Sequence, residues 1–418
     1  MSHRVINPKV LNSVEDTYDI IIVGGGMVGL SFANELIDSD FSVAVIERSE
    51  LKPVAAQPDC RVSAINRSAL ARFAKTGVFH SGLSDRVCAF EKMFVWDQTG
   101  AGQIEFDSAE LGVSELGVII ENNVLQQMLL DKVTAADNID YLCPQQIASI
   151  EYSFADEAAA DIRVRLGSDV VDSDKAGSEK TLTAKLLIGA DGVNSRVREA
   201  ASIQRNRQPY QQQGLVCNVT TSEPHQNTAW QCFMPTGPLA FLPLYNGQCS
   251  IVWSLDEEAA RAMMALDEQA FMQALAEAGE YKLGEVTEVS QRYLFALTHG
   301  HAAEYVKPGL ALIGDAAHNI HPLAGQGANL GIADAFALAD VIIEARSAGR
   351  QWAAEHTLKK YQRQRKGANT VMEMSMTGFK QLFGNNNAFI SELRNTGLSL
   401  VDHLPALKYR IIRQALNG

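Results

Sequence analysis

The chain has 418 residues, 46% of them apolar and 20% charged, which is typical of a globular protein large enough for two or three domains. Its net charge of −13 argues against nucleic-acid binding, and no apolar run is as long as a membrane span. Because residues 1–17 do not read as a secretory signal and the six cysteines form no metal-binding spacing, we expect a cytoplasmic protein without a bound metal.

Residues 18–50 have the order of elements that is typical of a nucleotide-binding unit. A β-branched apolar run predicts a buried strand at 18–23, and helical spacing of apolar residues predicts a helix at 27–37. A second strand is predicted at 41–46.

Three glycines between the first strand and the helix form the pattern G-x-G-x-x-G. Gly24 permits a tight turn, Gly26 lets the backbone approach a pyrophosphate, and Gly29 lets the helix pack on the strand. Glu47, at the end of the second strand, can accept hydrogen bonds from ribose hydroxyls and would repel a 2′-phosphate. The pattern therefore predicts that FAD or NAD is bound here, and not NADP.

A second turn lies in the stretch LLIGADGVNSRVRE, residues 186–199. We predict a short buried strand at 186–188, a turn that contains Asp191, and a helix that begins near Ser195. Taken alone, this stretch is equally well explained by Asp191 capping a helix. The preceding residues 167–180 are polar and without periodicity, and they predict the tip of a hairpin.

The region from 201 to 289 has the alternation and turn residues of a sheet. Antiparallel strands and turns are predicted at 215–221, 228–237, 239–247 and 249–256. Apolar residues at helical spacing then predict one helix at 263–278.

A third motif, IGDAAHNIHPLAGQGANLG, occupies residues 313–331. A strand at 311–313 leads into Gly314 and Asp315, and a second glycine turn at 325–327 precedes a predicted helix at 328–345. Gly349 lies just past the end of that helix, as is typical of a helix terminus.

In this order the three motifs resemble the flavin monooxygenases of the p-hydroxybenzoate hydroxylase type. That family carries an N-terminal dinucleotide fingerprint, a middle D-G motif and a late G-D motif. Within the family, several stretches are similar to the ubiquinone-biosynthesis hydroxylases, which act on the rings of polyprenylated phenols or benzoquinols. The stretches are CRVSAINRSAL (60–70), ELGVIIENNVLQQMLL (115–130), HNIHPLAGQGANLGIADAFALADVI (318–342) and the tail from residue 381.

The resemblance implies an α/β fold with a Rossmann-like FAD-binding domain, an inserted and mainly antiparallel β-sheet substrate domain, and a C-terminal helical segment. The FAD-binding domain would be discontinuous, with the substrate domain filling its gaps. The predicted boundaries are 1–80, 112–200 and 290–345 for the FAD-binding domain, 81–111 and 201–289 for the substrate domain, and 346–418 for the helical tail.

The resemblance also assigns cofactor residues. The first glycine turn would hold the ADP half of FAD, and the late G-D motif would hold its ribitol and ring half. The N–H groups at the start of the following helix would stabilise the reduced flavin. NAD(P)H, which has no second fingerprint, would visit a surface cleft as co-substrate. The predicted FAD-binding residues are Gly24, Gly26, Gly29, Glu47, Arg61, Gln126, Asp191, Gly314, Asp315, Gly325, Gly327, Ala328 and Asn329.

The implied reaction is a ring hydroxylation. NAD(P)H would reduce FAD, oxygen would add to form a flavin C4a-hydroperoxide, and its terminal oxygen would attack an electron-rich ring in a site without water. Pro322 is expected beside the flavin ring. His318 and His321 are candidate general bases for the phenol proton, and the alternative is that they only brace the loop.

The sheet between 210 and 255 is the expected wall for a polyprenylated substrate, although plain sheet core is the alternative for about half of its apolar residues. The predicted substrate residues are Phe233, Pro235, Phe241, Leu242 and Pro243. Three other functions stay open at this point: a monooxygenase of small soluble aromatics, a flavin reductase or dehydrogenase of isoprenoid substrates, and a non-catalytic scaffold.

The tail is basic, in contrast to the rest of the chain. Beyond residue 345 there are 12 Lys and Arg residues against 4 Asp and Glu residues, and they alternate with apolar positions. This pattern predicts two or three amphipathic helices that close the flavin domain with solvated charges. The alternative is a docking surface for anionic lipid or for partner enzymes, which a water-insoluble substrate would require.

Overall fold

The computed structural model describes residues 15–80, 84–100, 102–156, 160–167, 180–319 and 327–383, without the side chains of 80, 84, 207–211 and 371–383. Three predicted site residues, His321, Pro322 and Gly325, lie outside the described residues. So do the predicted hairpin tip at 168–179 and the end of the tail from residue 384.

The described residues form twenty β-strands and eight α-helices. The strands are β1 (Glu15–Val23), β2 (Val43–Ile46), β3 (Val62–Asn66), β4 (Val87–Phe90), β5 (Lys92–Asp97), β6 (Gln103–Asp107), β7 (Gly117–Glu121), β8 (Ile139–Leu142), β9 (Ile147–Phe154), β10 (Ala160–Leu166), β11 (Lys180–Gly189), β12 (Arg205–Thr221), β13 (Thr228–Phe233), β14 (Leu239–Pro243), β15 (Cys249–Asp256), β16 (Val286–Val289), β17 (Tyr293–Ala302), β18 (Val306–Lys307), β19 (Leu310–Leu312) and β20 (His318–Asn319). The helices are α1 (Met27–Asn34), α2 (Arg67–Lys75), α3 (Asn122–Thr134), α4 (Arg196–Ala200), α5 (Glu257–Ala265), α6 (Glu268–Ala278), α7 (Gly327–Ser347) and α8 (Glu355–Phe383).

The first sheet has a parallel centre with the strand order β19-β11-β1-β2-β8. Helices α1 and α7 pack together, α1 also contacts α3, and α7 contacts α8. Because helices cover a parallel sheet, its strands are continuous apolar runs, and the last four residues of β1 are all buried. Three further strands extend this sheet by antiparallel pairing: β18 pairs with β19, β10 with β11, and β9 with β10.

The second sheet is larger and mainly antiparallel, with the order β20-β17-β12-β15-β14-β13-β5-β6 and β16 beside β12. Its β13 and β5 are an exception, because they pair in parallel. Apolar side chains of α5 and α6 pack on one face of this sheet, where Phe271 and Leu275 are fully buried.

The small third sheet, β3-β7-β4, is antiparallel and shares an apolar cluster with residues of β14 such as Leu242. Strand pairing differs in one respect from the predicted domain boundaries. Strand β17 is hydrogen-bonded into the larger sheet along Tyr293–Ala302, so this sheet extends past residue 290.

The prediction of one helix at 263–278 is wrong, because two helices occupy this region. Helix α5 ends at Ala265, and the next residue, Leu266, is extended with a ψ of 146°. The Asp267 side chain then accepts a hydrogen bond from the Ala270 N–H and caps α6. Apolar periodicity continued through this break, and the N-capping aspartate was the signal that marked it.

Candidate cofactor and active site

The predicted motifs meet at one edge of the first sheet. Strands β19, β11, β1 and β2 are neighbours, and their last residues are in register, with Leu312 beside Gly189, Gly189 beside Val23, and Val23 beside Ile46. The late G-D motif, the D-G motif, the glycine turn and Glu47 follow these four strand ends in that order. At about 4.8 Å between neighbouring strands, these four strand ends span roughly 14 Å. Ligands of open α/β sheets bind at this edge.

The first glycine turn touches the D-G motif directly. Gly24 has a φ of +109°, and a Cβ atom there would lie 2.3 Å from the Ala190 carbonyl oxygen. A Cβ on Gly29 would lie 2.0 Å from the Gly24 carbonyl oxygen, so α1 depends on glycine for its approach to the turn. A Cβ on Gly26, in contrast, would meet nothing within 4 Å, and this residue opens onto free space at the start of α1.

Glu47 and Gln126 lie on either side of the same turn. The Gly25 N–H donates to Glu47 Oε2 at 2.7 Å, and Gln126 Nε2 donates to the Gly25 carbonyl oxygen at 2.7 Å. Strand β2 and helix α3 therefore bring two residues that are 79 positions apart in sequence to the loop predicted to hold the ADP half.

The two carboxylate oxygens of Asp191 differ in their hydrogen bonding. Its Oδ2 accepts the backbone N–H groups of Arg196 at 2.7 Å and Val197 at 3.3 Å, at the start of α4. Its Oδ1 is buried and has no hydrogen-bond partner among the residues that the structure describes. Burial raises the pKa of this carboxyl group. Such an oxygen is costly unless a further donor reaches it, and a ligand hydroxyl at this edge is a suitable donor.

Arg198 connects the D-G motif to the late motif. Its guanidinium group is buried and donates to the carbonyl oxygens of Val193 at 2.8 Å and Ala316 at 2.9 Å. Burial lowers its pKa. The two turns are therefore held in a fixed relation by a side chain that bonds to both backbones.

The late motif forms a single tight turn at Gly314–Ala316. Gly314 has a φ of +58°, and a Cβ on it would lie 3.2 Å from Val28 of α1. Gly331 of α7 meets the same valine, since a Cβ there would lie 2.6 Å from it. Helix α1 thus packs between the late turn and α7, while the side chain of Asp315 stays exposed at the edge of the sheet.

His318 is buried, with 3% of its surface exposed, and its Nε2 is hydrogen-bonded to the carboxylate of Asp334. This geometry favours bracing of the loop over proton transfer to a bound ring. Asp334 was missed from the sequence, although a buried acid within the apolar first half of α7 was a usable signal.

The remaining predicted FAD residues have different surroundings. The Arg61 side chain is 57% exposed, close to Asp59. Asn329 is buried and fastens α7 to β3, since it accepts from the Asn66 N–H at 3.0 Å and donates to the Ala64 carbonyl oxygen at 2.6 Å. Gly327 and Ala328 begin α7, and Gly327 is exposed.

A buried ion pair that the sequence did not suggest positions the segment before Arg61. Arg86 donates twice to Glu121, with Nε and Nη2 each at 2.8 Å, and also to the Ala55 carbonyl oxygen at 2.7 Å. Glu121 in turn accepts the Asp59 N–H. Arg86 and Glu121 are 35 positions apart, so no local sequence pattern links them.

One face of the larger sheet is turned toward this segment. Asn218 donates to the Pro58 carbonyl oxygen at 2.9 Å, and the Ser250 hydroxyl donates to that of Cys60 at 3.1 Å. We call this side the inner face, and Val216, Asn218, Ser250 and Leu242 define it through the strand registers.

The predicted substrate residues are divided between the two faces. Phe241 and Leu242 are neighbours in β14, so they point to opposite sides and cannot contact the same ring. Phe241 packs beside α6, where a Cβ on Gly279 would lie 2.9 Å from its ring, and Leu242 is buried against the third sheet. Phe233 is half-buried, Pro235 is exposed and Pro243 is buried at the end of β14.

These residues fit an extended FAD. The open space at Gly26 and the helix start suit a pyrophosphate, and Glu47 suits the ribose beside it. Further along this edge of the first sheet, the unpartnered Asp191 oxygen and the exposed Asp315 carboxylate would accept hydroxyl groups from the second half of FAD, which carries the ribitol and the ring.

Asp315→Ala is expected to weaken FAD binding. Loss of a charged hydrogen-bond acceptor costs about 1.5–3 kcal/mol, or roughly tenfold to a hundredfold in Kd. Fluorescence titration of deflavinated protein measures this. Asp131→Ala is the matched control, because Asp131 is an exposed residue of α3 whose carboxylate accepts from the side chain of Gln127. Equal affinities of the two variants would contradict the role of Asp315.

Comparison with known proteins shows the family to which the chain belongs. The family profile described as an FAD binding domain matches residues 17–375. The 3-demethoxyubiquinol 3-hydroxylase of Escherichia coli K12 is 37% identical, over 95% of this chain and 98% of its own length. The human mitochondrial ubiquinone biosynthesis monooxygenase COQ6 is 31% identical, over 96% of this chain and 92% of its own.

Solved structures confirm the fold class. The p-nitrophenol 4-monooxygenase PnpA from Pseudomonas putida DLL-E4 superposes with a TM-score of 0.75 at 18% identity, over 96% of this chain and 99% of its own. PqsL from Pseudomonas aeruginosa, a probable FAD-dependent monooxygenase, has a TM-score of 0.72 at 20% identity, over 92% of this chain and 99% of its own. The chain belongs to the FAD-binding-domain family and, within it, to the FAD-dependent hydroxylases of ubiquinone biosynthesis.

Proposed function

We propose that this protein hydroxylates the aromatic ring of a polyprenylated phenol or benzoquinol intermediate of ubiquinone biosynthesis, with NAD(P)H and oxygen as co-substrates. FAD supplies the redox chemistry that activates oxygen, and the chain's own residues bind and orient the two partners. Two relatives that match nearly the whole chain support the substrate class, since one is named as a 3-demethoxyubiquinol 3-hydroxylase and the other as a ubiquinone biosynthesis monooxygenase.

The observation that carries the proposal is the position of the inner face relative to the cofactor edge. The late turn continues directly into β20, which pairs with Gly300 and His301 of β17. Strand β17 therefore leads from the cofactor edge along the larger sheet. A ring held between this part of the sheet and the flavin would be enclosed by two rigid elements, as the exclusion of water requires.

Strand β17 also offers an apolar path away from that position. Tyr293 pairs with Val216 and Phe295 pairs with Gly214, so both belong to the inner face, and Leu297 follows in the same alternation. We call Tyr293, Phe295 and Leu297 the β17 row. Leu297 is nearly buried, whereas Phe295 is 40% and Tyr293 is 42% exposed. A row of this kind suits the isoprenoid tail of a substrate whose ring lies near the late turn.

Deletion of the gene in its host tests the function. We expect accumulation of a polyprenylated ring that lacks one hydroxyl group, detected by mass spectrometry of lipid extracts, and its removal by the wild-type gene but not by the Asp315→Ala variant. An unchanged quinone profile would contradict the proposal, and the mass of the accumulated compound would identify the ring position.

Phe295→Ser tests the β17 row. It should lower kcat/KM severalfold for a substrate with a long isoprenoid tail and leave a short-tailed analogue unaffected, because only the long tail would lose apolar contact. Phe154→Ser is the matched control, since Phe154 is 49% exposed on β9 of the first sheet. An equal loss for both tail lengths would exclude this path, and a preference for soluble aromatics would contradict the substrate class itself.

We further propose that α8 contacts anionic lipid, although fewer of its charges are available than the sequence suggests. Lys359 pairs with Glu355, Lys366 bonds to the Ala303 carbonyl oxygen, and Arg365 is buried. Among the side chains of α8 that the structure describes, Lys360 and Arg363 remain as the surface pair for this role. No helix within the described ranges is long and apolar enough to cross a membrane.

Reversing both charges, with Lys360→Glu and Arg363→Glu, is expected to weaken co-sedimentation with anionic liposomes at low salt. Arg163→Glu together with Arg165→Glu, on the exposed side of β10, controls for the change in net charge. If the control pair has the same effect as the α8 pair, this surface has no specific role.

A further inference from the structure

The carboxylate of Asp334 is the centre of a buried polar cluster behind the late turn. It lies on α7, two turns after the helix begins, and none of its surface is exposed. Its Oδ2 accepts the Gly314 N–H at 3.1 Å and the imidazole of His318. Its Oδ1 accepts Arg365 Nε at 2.8 Å and, more weakly, Asn369 at 3.5 Å.

The two contacts of Oδ2 lie at the two ends of one turn. Gly314 begins the turn in a left-handed conformation, and His318 follows its last residues. Asp315, the exposed carboxylate proposed to hold the ribitol of FAD, lies between them. Asp334 therefore fixes, from behind the turn, the direction in which the backbone presents Asp315.

Such a carboxylate requires a counter-charge. Burial alone would raise the pKa of Asp334, but the imidazole of His318 and the guanidinium of Arg365 hold it below its usual range. Arg365 is itself only 6% exposed, and it also donates to Asn369 Oδ1 at 3.1 Å. If one partner of a buried pair is removed, an uncompensated charge remains, which is much more costly than the loss of both partners.

Arg365 comes from α8, whose contacts continue along the approach to the turn. The Tyr361 hydroxyl donates to the Leu312 carbonyl oxygen at 2.7 Å, at the end of β19. Gln362 accepts the Tyr305 N–H at 2.7 Å. The ring of Tyr305 packs against His318, with ring centroids 5.8 Å apart. One face of α8 is thus the rear support of the late turn.

We propose that Arg365 and Asp334 are positioning residues for the flavin half of FAD, and that helix α8 thereby forms part of the cofactor site. Arg365 holds Asp334, Asp334 holds both ends of the turn, and the turn presents Asp315. This inference rests on FAD as cofactor and on the proposed role of Asp315, and it is independent of which substrate is hydroxylated.

The test compares a ligand that would contact the whole cofactor site with one that would contact only its first half. Deflavinated Arg365→Met protein is titrated with FAD and, separately, with ADP, which reaches only the glycine turn and Glu47. FAD affinity should fall at least about tenfold while ADP affinity is retained, since a merely structural defect would weaken both. Unchanged FAD affinity, or equal losses for FAD and ADP, would overturn the proposal.

A double variant tests the coupling of charges. Asp334→Asn combined with Arg365→Met removes both members of the pair, so it should bind FAD better than Arg365→Met alone. FAD affinity no better than that of the single variant would contradict compensation by Arg365. Arg350→Met, which removes an exposed arginine paired with Glu344, is the control and should bind both ligands normally.

If Arg365→Met protein does not fold, Arg365→Lys takes its place in the same titrations. Lysine keeps the charge in the cavity but loses the fixed planar donors of the guanidinium group. A severalfold weaker FAD affinity with unchanged ADP affinity is expected for Arg365→Lys, and wild-type FAD affinity would overturn the proposal. Failure of ring hydroxylation with intact FAD binding would bear on the proposed function and leave this inference intact.

Discussion

Parallel pairing of β19, β11, β1 and β2 is the constraint on which the site depends. In a parallel sheet all strands end at the same edge, so three turns and an acid that are up to 290 positions apart in sequence become neighbours. Backbone hydrogen bonds fix this edge further, since the Gly24 N–H donates to Ile46, the Ala190 N–H to Val23 and the Ile313 N–H to Gly189. The order of motifs along the edge therefore follows from strand order and not from sequence order.

Two kinds of contact position the turns around that edge. Where backbone meets backbone, a glycine removes the Cβ that would collide, as at Gly24 and Gly29. Where a turn needs to be held from behind, a buried charged pair supplies directional bonds, as Asp334 with Arg365 and Glu121 with Arg86 do. The first device brings the cofactor loops together, and the second fixes their orientation.

Local patterns predicted the first device but not the second. Glycine spacing and apolar periodicity depend on short-range sterics, so the strand, turn and helix at 18–46 and the late helix could be predicted. Gly349, just past the end of α7, has a φ of +65°, as is typical of a residue after a helix terminus. The partners of Asp334, in contrast, come from α8 and from the late turn, and nothing local links them. The opposite directions of Phe241 and Leu242 follow from strand alternation, but which face meets the flavin domain depends on tertiary contacts such as Asn218 with Pro58.

The distribution of the cofactor site along the chain also has a consequence for biosynthesis. Its first loop is made by residue 29, whereas the buried support of its last loop is complete only at Asn369. A growing polypeptide on the ribosome therefore cannot assemble the whole binding surface until nearly nine-tenths of the 418 residues have been synthesised. Flavin capture would therefore follow translation of the late segments. Because FAD would bind the folded site and not the unfolded chain, its binding would shift the folding equilibrium toward the native state.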